Sequence, residues 1–140
     1  MSIATDVYKY LAADTVLAAL LGATTGDTKI YPMIAPPLKE PPHIVYSPQE
    51  SPRQDGILDG ARIVFKITTP DYDLNLSDAI RDRLNALLDF KQAQQNLGIQ
   101  SADYYIYNSE RNGGDTRRDD VAKYIIKVIN YDIVFVKQSF

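Results

Sequence analysis

The apolar positions of the chain recur first at a helical spacing. In Ser2 to Leu21, Ile3, Val7, Tyr10 and Leu11, then Val16, Leu17, Leu20 and Leu21, return every three or four residues, as one buried helical stripe requires. Asp14-Thr15 offers an N-cap and Gly22 a C′ residue, so the segment predicts two short helices, or one helix broken near Ala13. Gly22 to Asp27 reads as a turn into a short strand, Lys29-Ile30-Tyr31. From Ala61 the period falls to two, with Ala61, Ile63, Phe65 and Ile67 on one face and Arg62, Val64, Lys66 and Thr68 on the other, which predicts a half-exposed antiparallel strand. Beyond Pro70-Asp71-Tyr72-Asp73 the helical stripe returns at Leu76, Ile80, Leu84, Leu87 and Leu88, giving a helix from Leu76 to Phe90 that ends before Gly98.

Between these elements the punctuation is proline. All prolines except Pro70 lie from Pro32 to Pro52, and since proline lacks an N–H and fixes φ, that stretch cannot be helix or central strand throughout. His43-Ile44-Val45-Tyr46 is the strand candidate inside it. Gln49 to Gly60 reads as a solvated loop, with Asp55-Gly56 and Asp59-Gly60 as turn signals. The end of the chain predicts a β-hairpin: a strand Asp103 to Tyr107, a hydrophilic connection from Asn108 to Asp120, and a long apolar strand from Val121 to Val136.

That closing strand is apolar on both faces. Ile125, Ile129, Tyr131, Ile133 and Phe135 occupy odd positions, and Tyr124, Ile126, Val128, Val134 and Val136 even ones. Ala122 to Val136 would extend about 50 Å at about 3.3 Å per residue, against a diameter of about 37 Å for a compact domain of this length, so it has to bend, bulge or project. One face can lie on the domain's own helices. The other needs a cover, either further intramolecular helix or a neighbouring subunit. The subunit-interface candidates are Tyr104, Tyr105, Tyr107, Tyr124, Ile126, Val128, Val134 and Val136, the tyrosines offering large amphipathic contact area.

Composition narrows the chemistry. At 140 residues the chain is one domain, and an α+β fold follows from the element order: a four- to five-stranded antiparallel sheet, N-terminal helices and one longer helix packed on it, and a projecting C-terminal hairpin. Without cysteine and with His43 as the lone histidine, disulfides, thiolate metal sites and multi-histidine sites are excluded. A net charge of -3 with no long run of one sign argues against a basic nucleic-acid surface. No basic leader or apolar run long enough for a bilayer is visible, so no membrane is expected as a partner. His43 reads as a structural residue, Asp71 and Asp73 as turn and cap residues before Leu76, and Arg111, Arg117 and Arg118 as a mixed-charge loop able to contact a partner. The other readings of these residues are an acid-base enzyme using His43 with Asp71 or Asp73, and a nucleic-acid module using the arginines.

The order of the pieces carries a resemblance. Leu20-Leu21-Gly22 closes the N-terminal helix, Lys29-Ile30-Tyr31-Pro32 follows, then Pro41-Pro42-His43-Ile44-Val45-Tyr46, the Leu76 to Phe90 helix, and a terminal strand through Ile129-Asn130-Tyr131-Asp132-Ile133. In this order and at this length, the chain resembles the tail terminator, or tail completion and tail-to-head joining, proteins of long-tailed bacteriophages. The resemblance implies a structural protein without enzymatic activity, cofactor or metal, forming a hexameric ring on the end of the tail tube. Its partners would be itself, the tail tube protein and a head-tail connector or stopper, with DNA passing through without specific binding. Its place would be the virion tail end or neck, after assembly in the host cytoplasm. Another neck or head-completion subunit is the nearest alternative role.

Overall fold

The computed structural model of the chain describes residues 3–33, 40–54, 59–89 and 104–137. Both N-terminal helices form, α1 at Ile3–Ala12 and α2 at Thr15–Leu21. The break between them is chemical: the Asp14 carboxylate accepts from the Leu17 N–H at 2.8 Å as N-cap, and Gly22 ends α2 in the left-handed region at φ 68. The third helix, α3, spans Leu74–Leu88, two residues earlier at each end than its apolar stripe predicts. Its N-cap is Asp73, which accepts from Leu76 N–H at 3.0 Å. Phe90 and Gly98 lie outside the described residues.

Five strands make one sheet: β1 (Ile30–Pro32), β2 (His43–Gln54), β3 (Asp59–Pro70), β4 (Tyr104–Asp119) and β5 (Tyr124–Lys137), in the order β1-β2-β3-β5-β4. All neighbours are antiparallel except β1 and β2, whose short pairing of Ile30 with Ile44 through Pro32 with Tyr46 is parallel. The sheet is thus mostly, not wholly, antiparallel.

Two regions read from the sequence as loops are strands. β2 continues through Pro48 and Pro52 to Gln54, so Gln49 to Gly60 contains the end of one strand and the start of the next around residues 55–58, which include Asp55-Gly56 and are not described. β1 pairs with β2 only as far as Tyr46, so beyond it β2 has an open side where a proline's missing N–H forfeits no ladder bond. Likewise Asn108 to Asp120 is not a connection but most of β4, and the turn is Asp120 to Lys123. The polar residues Glu110 to Arg118 form a strand because β5 supplies the ladder from Tyr124 to Lys137, while the other side of β4 faces solvent and tolerates charge. The Asp119 carboxylate fastens the turn by accepting from the N–H groups of Val121 and Ala122, both at 3.0 Å.

The closing strand is held by unbroken pairing with β3 over Tyr124 to Phe135, and the bulges fall in its other partner. β5 lies between β3 and β4, and β4 is the partner that bulges, with register shifts between Ile106 and Asn108 and between Arg111 and Gly114. Gly113 takes φ 85 in the second bulge. Gly114 is required there by close approach: a Cβ would sit 2.8 Å from the Val128 carbonyl oxygen and 3.2 Å from an Arg111 guanidinium nitrogen.

The three helices of the described residues lie on one face of the sheet. The core joins Val7, Leu11, Leu17 and Leu21 of α1 and α2 and Ile80, Leu84 and Leu88 of α3 to Ile63, Phe65 and Ile67 of β3 and Ile129, Tyr131 and Ile133 of β5. Tyr131 meets Phe65 edge-on at 5.7 Å between centroids and donates its buried hydroxyl to Asn85 of α3. Burial pushes the Tyr131 phenol far up from its usual range. Asp14 also receives the Arg83 guanidinium at 2.6 and 2.9 Å, tying the α2 cap to α3. Among the described residues no helix is long and apolar enough to cross a membrane.

Candidate functional site

Strand alternation decides which side of β5 needs a cover. Its odd residues face the helices: Ile129, Tyr131 and Ile133 are at most 1% exposed and Ile125 and Phe135 are buried. Its even residues form the outer face with the even residues of β3, through the register Thr68 with Ile126, Lys66 with Val128, Val64 with Asn130, and Arg62 with Asp132. No helix covers this second face among the described residues. Toward the Pro70 end it is nevertheless closed, with Tyr31, His43, Val45, Thr68 and Ile126 all buried. In the middle it is half open, and Val64, Val128, Asn130, Asp132 and Val134 are each partly exposed.

The open part of the outer face is amphipathic. Arg62 and Asp132 pair at 2.8 and 3.3 Å, and Asn112, brought over by the β4 bulge, donates to the same carboxylate at 2.6 Å. The Arg62 guanidinium, helped by Asn112, holds the Asp132 carboxyl below the usual carboxylate range. Val64, Val128 and Val134 flank this network. The combination of a fixed polar cluster and half-buried valines is a surface composition suited to contact with another protein.

Of the interface candidates, Val128 and Val134 are on this open face, and Tyr124 is half-buried at its end. Ile126 points to the same face but is only 8% exposed, so it offers little to a partner. Tyr104, Tyr105 and Tyr107 belong to β4 and Val136 to β5, and their side chains lie outside the described residues. The three arginines are on a strand rather than a loop, and the structure separates them. Arg117 is exposed opposite Ile126, Arg118 bonds Asp71 at 2.7 Å and Asp120 at 2.8 Å, and Arg111 faces a cavity beside α3.

The sequence reading passed over one end of the molecule. Asp71 N–H donates to the Lys123 carbonyl at 3.0 Å, joining the β3–α3 turn to the β4–β5 turn. There Tyr72 is 86% exposed and Val121 95%, with Leu74 exposed beside them. Between the two turns and Glu40-Pro41 lies a cavity of about 320 Å³ lined by Pro70, Tyr72, Ala122 and Tyr124. Val121, an isolated valine inside Asp119-Asp120-Val121-Ala122-Lys123, is the sequence signal that could have marked it.

Catalytic geometry does not assemble around His43. Burial lowers its pKa, with Lys29 and Lys66 adding to the effect and the nearby Glu40 backbone opposing it, and its buried Nδ1 has no hydrogen-bond partner among the described residues. Asp71 is taken by Arg118 and Asp73 by the α3 N-terminus. Among the described residues no group of three His, Cys, Asp or Glu is placed to hold a metal ion.

No family model matches the chain, and no curated protein matches it. Among solved structures, a chain in the virion of a native gene transfer agent particle superimposes with a TM-score of 0.70 at 16% sequence identity, covering 98% of this chain and 96% of that one. The α+β architecture, with its helices on one side of a five-stranded sheet, is therefore shared along nearly the whole length of both chains.

Proposed function

We propose that the chain is a structural virion protein, a tail terminator that closes the end of a phage or prophage tail tube as a homo-oligomeric ring, arrests tube polymerisation and presents the surface for head attachment. The observation that carries this reading is the fold-length likeness to a component of a virion particle. The surface supports it. A closed ring needs two unlike patches on each subunit. The sheet has unlike edges: β4 along one side, and three-residue β1 with the open remainder of β2 along the other. Val128, Val134 and Tyr124 on the outer face, with the β4 edge, form the subunit contact, and the Tyr72–Val121 end meets the tube or the connector. Of the three arginines, Arg111 and Arg117 are exposed and outside any ion pair among the described residues, and so open to a partner, whereas Arg118 is held by Asp71 and Asp120. Nothing in this role calls for a reaction, and duplex DNA crosses an acidic ring without being held, since phosphate binding requires clustered free Lys and Arg.

Native mass spectrometry and negative-stain imaging across a concentration series test the reading. Annular particles near six times 15.7 kDa are the expected result, in the free protein or after addition of tail tubes. A protein that stays monomeric in both conditions, and leaves tube length unchanged during polymerisation, overturns it.

A further inference from the structure

The bulge that carries Arg111 across β4 also builds a cavity on the helix side of the sheet. It holds about 220 Å³ between α3 and the β4–β5 ladder, lined by Arg81, Arg111, Lys127, Thr116 and the backbone around Gly114. Lys127 is the anomaly: a lysine on an otherwise apolar face, its side chain 6% exposed. A buried ammonium is costly unless paired, and its partners are Asp78 at 3.2 Å and the Thr116 hydroxyl at 3.3 Å. Asp78 is shared, since Arg81 approaches the same oxygen at 3.5 Å. Arg81 also bonds Asp82 at 3.1 Å, on the solvent side of the helix where Asp82 is well exposed. Arg111 has no ion pair among the described residues, and its guanidinium lies over Gly114, where a side chain would collide with it. Asp115 also borders the cavity, but it pairs in register with Val128 of the outer face, and its carboxylate accepts from the Thr116 N–H at 2.8 Å. Three cations thus converge on one cavity; Asp78 is shared by Lys127 and Arg81, Asp82 holds the rest of the Arg81 guanidinium, and Arg111 is left without a carboxylate among the described residues.

We propose that this cavity is an oxyanion site that receives one carboxylate, the acidic side chain of a neighbouring protein in the assembly. The chemistry fits: a planar guanidinium fork, a dehydrated ammonium and a hydroxyl donor form charge-assisted hydrogen bonds with a carboxylate. The space fits, since a carboxylate and a few waters of about 30 Å³ each fill it. A single half-open site on an acidic chain suits a side-chain carboxylate better than a nucleic-acid backbone, which needs a track of cations. Affinity for a small carboxylate is a property of the cavity alone. Only the identity of the donor as a fellow subunit depends on the ring.

The test is an amide NMR titration of the whole chain with sodium acetate, inorganic phosphate and a short DNA duplex at constant ionic strength. Saturable shifts centred on Gly114, Thr116 and Lys127 are expected with acetate and phosphate, weakened roughly tenfold in Arg111→Gln and in Arg81→Gln, as the loss of a charge-assisted hydrogen bond implies. Lys127→Met risks unfolding the α3 contact, so the exposed Arg111 variant, with an unchanged melting temperature, carries the result. Shifts that are non-saturable or identical in the Arg111 variant overturn the site, and duplex DNA binding more tightly than either small anion overturns the carboxylate assignment. A ring that fails to form while the acetate shifts persist leaves the cavity's chemistry standing and refutes only the proposed donor.

Discussion

The two faces of the same sheet differ in who completes them. On the inner face, β3 and β5 present Ile63, Phe65, Ile67, Ile129, Tyr131 and Ile133, all at most 1% exposed under three helices of the same chain. On the outer face, the neighbouring positions one residue along alternate between valine and a hydrogen-bonded polar set, Arg62, Asn112 and Asp132, and stay half open. The inner face is a core and answers to packing density. The outer face is finished to a standard that water tolerates and a protein partner can use.

Substitutions sharpen that contrast, beginning with the core. Phe65→Ala removes a ring 1% exposed and packed on Tyr131, and should cost about 3–5 kcal/mol in urea denaturation. A loss near 1 kcal/mol would mean that the helical layer repacks easily and that the two faces are less unlike than they look. Gly114→Ala comes next, at about 1–3 kcal/mol, because its Cβ meets the Val128 backbone oxygen and must push β4 away from β5. Asp14→Ala removes the α2 cap, about 1 kcal/mol by itself, and should lower the melting temperature further through the lost Arg83 contact.

Acid should probe both faces together. Arg83 holds the Asp14 carboxyl low on the helix side, and Arg62 holds Asp132 low on the outer face. A depressed folded-state pKa contributes stability that is complete above the unfolded value near 4 and disappears as pH falls through the folded value. Stability measured by chemical denaturation should therefore decline below about pH 4. Asp132→Asn should flatten that decline and Asp14→Asn should flatten it as well; a curve unchanged by both would show that neither pairing holds in solution. Smallest in stability is Val128→Lys, within about 0.5 kcal/mol for a half-exposed position. Yet it should abolish ring formation in native mass spectrometry, and intact rings in this variant would remove the outer face from the interface.

The helices and their ends were legible in advance. Asp14, Gly22 and Asp73 cap by reaching residues three or four positions away, so short sequence windows contain both partners. The strand character of β3 was equally plain from its alternation. What misled was polarity read as loop: Glu110 to Arg118 and Gln49 to Gln54 have the composition of connections, and they are strands because a distant partner offers a hydrogen-bonding ladder. The cavity around Lys127 was invisible for the same reason, since Asp78 and Arg81 reach it only after α3 is laid on β5, and Thr116 only once β4 pairs with β5.

Local periodicity and capping chemistry, which act within a turn or two of chain, were enough to define the three helices, the alternation of β3 and the double-sided apolar character of β5. Which side of β5 the helices took, how far β2 and β4 extended, and where the buried Lys127 found its carboxylate were decided in three dimensions. Those outcomes depend on pairs such as Arg62 with Asp132 and Arg83 with Asp14, about seventy residues apart in each case, and no local pattern encodes a partner at that distance.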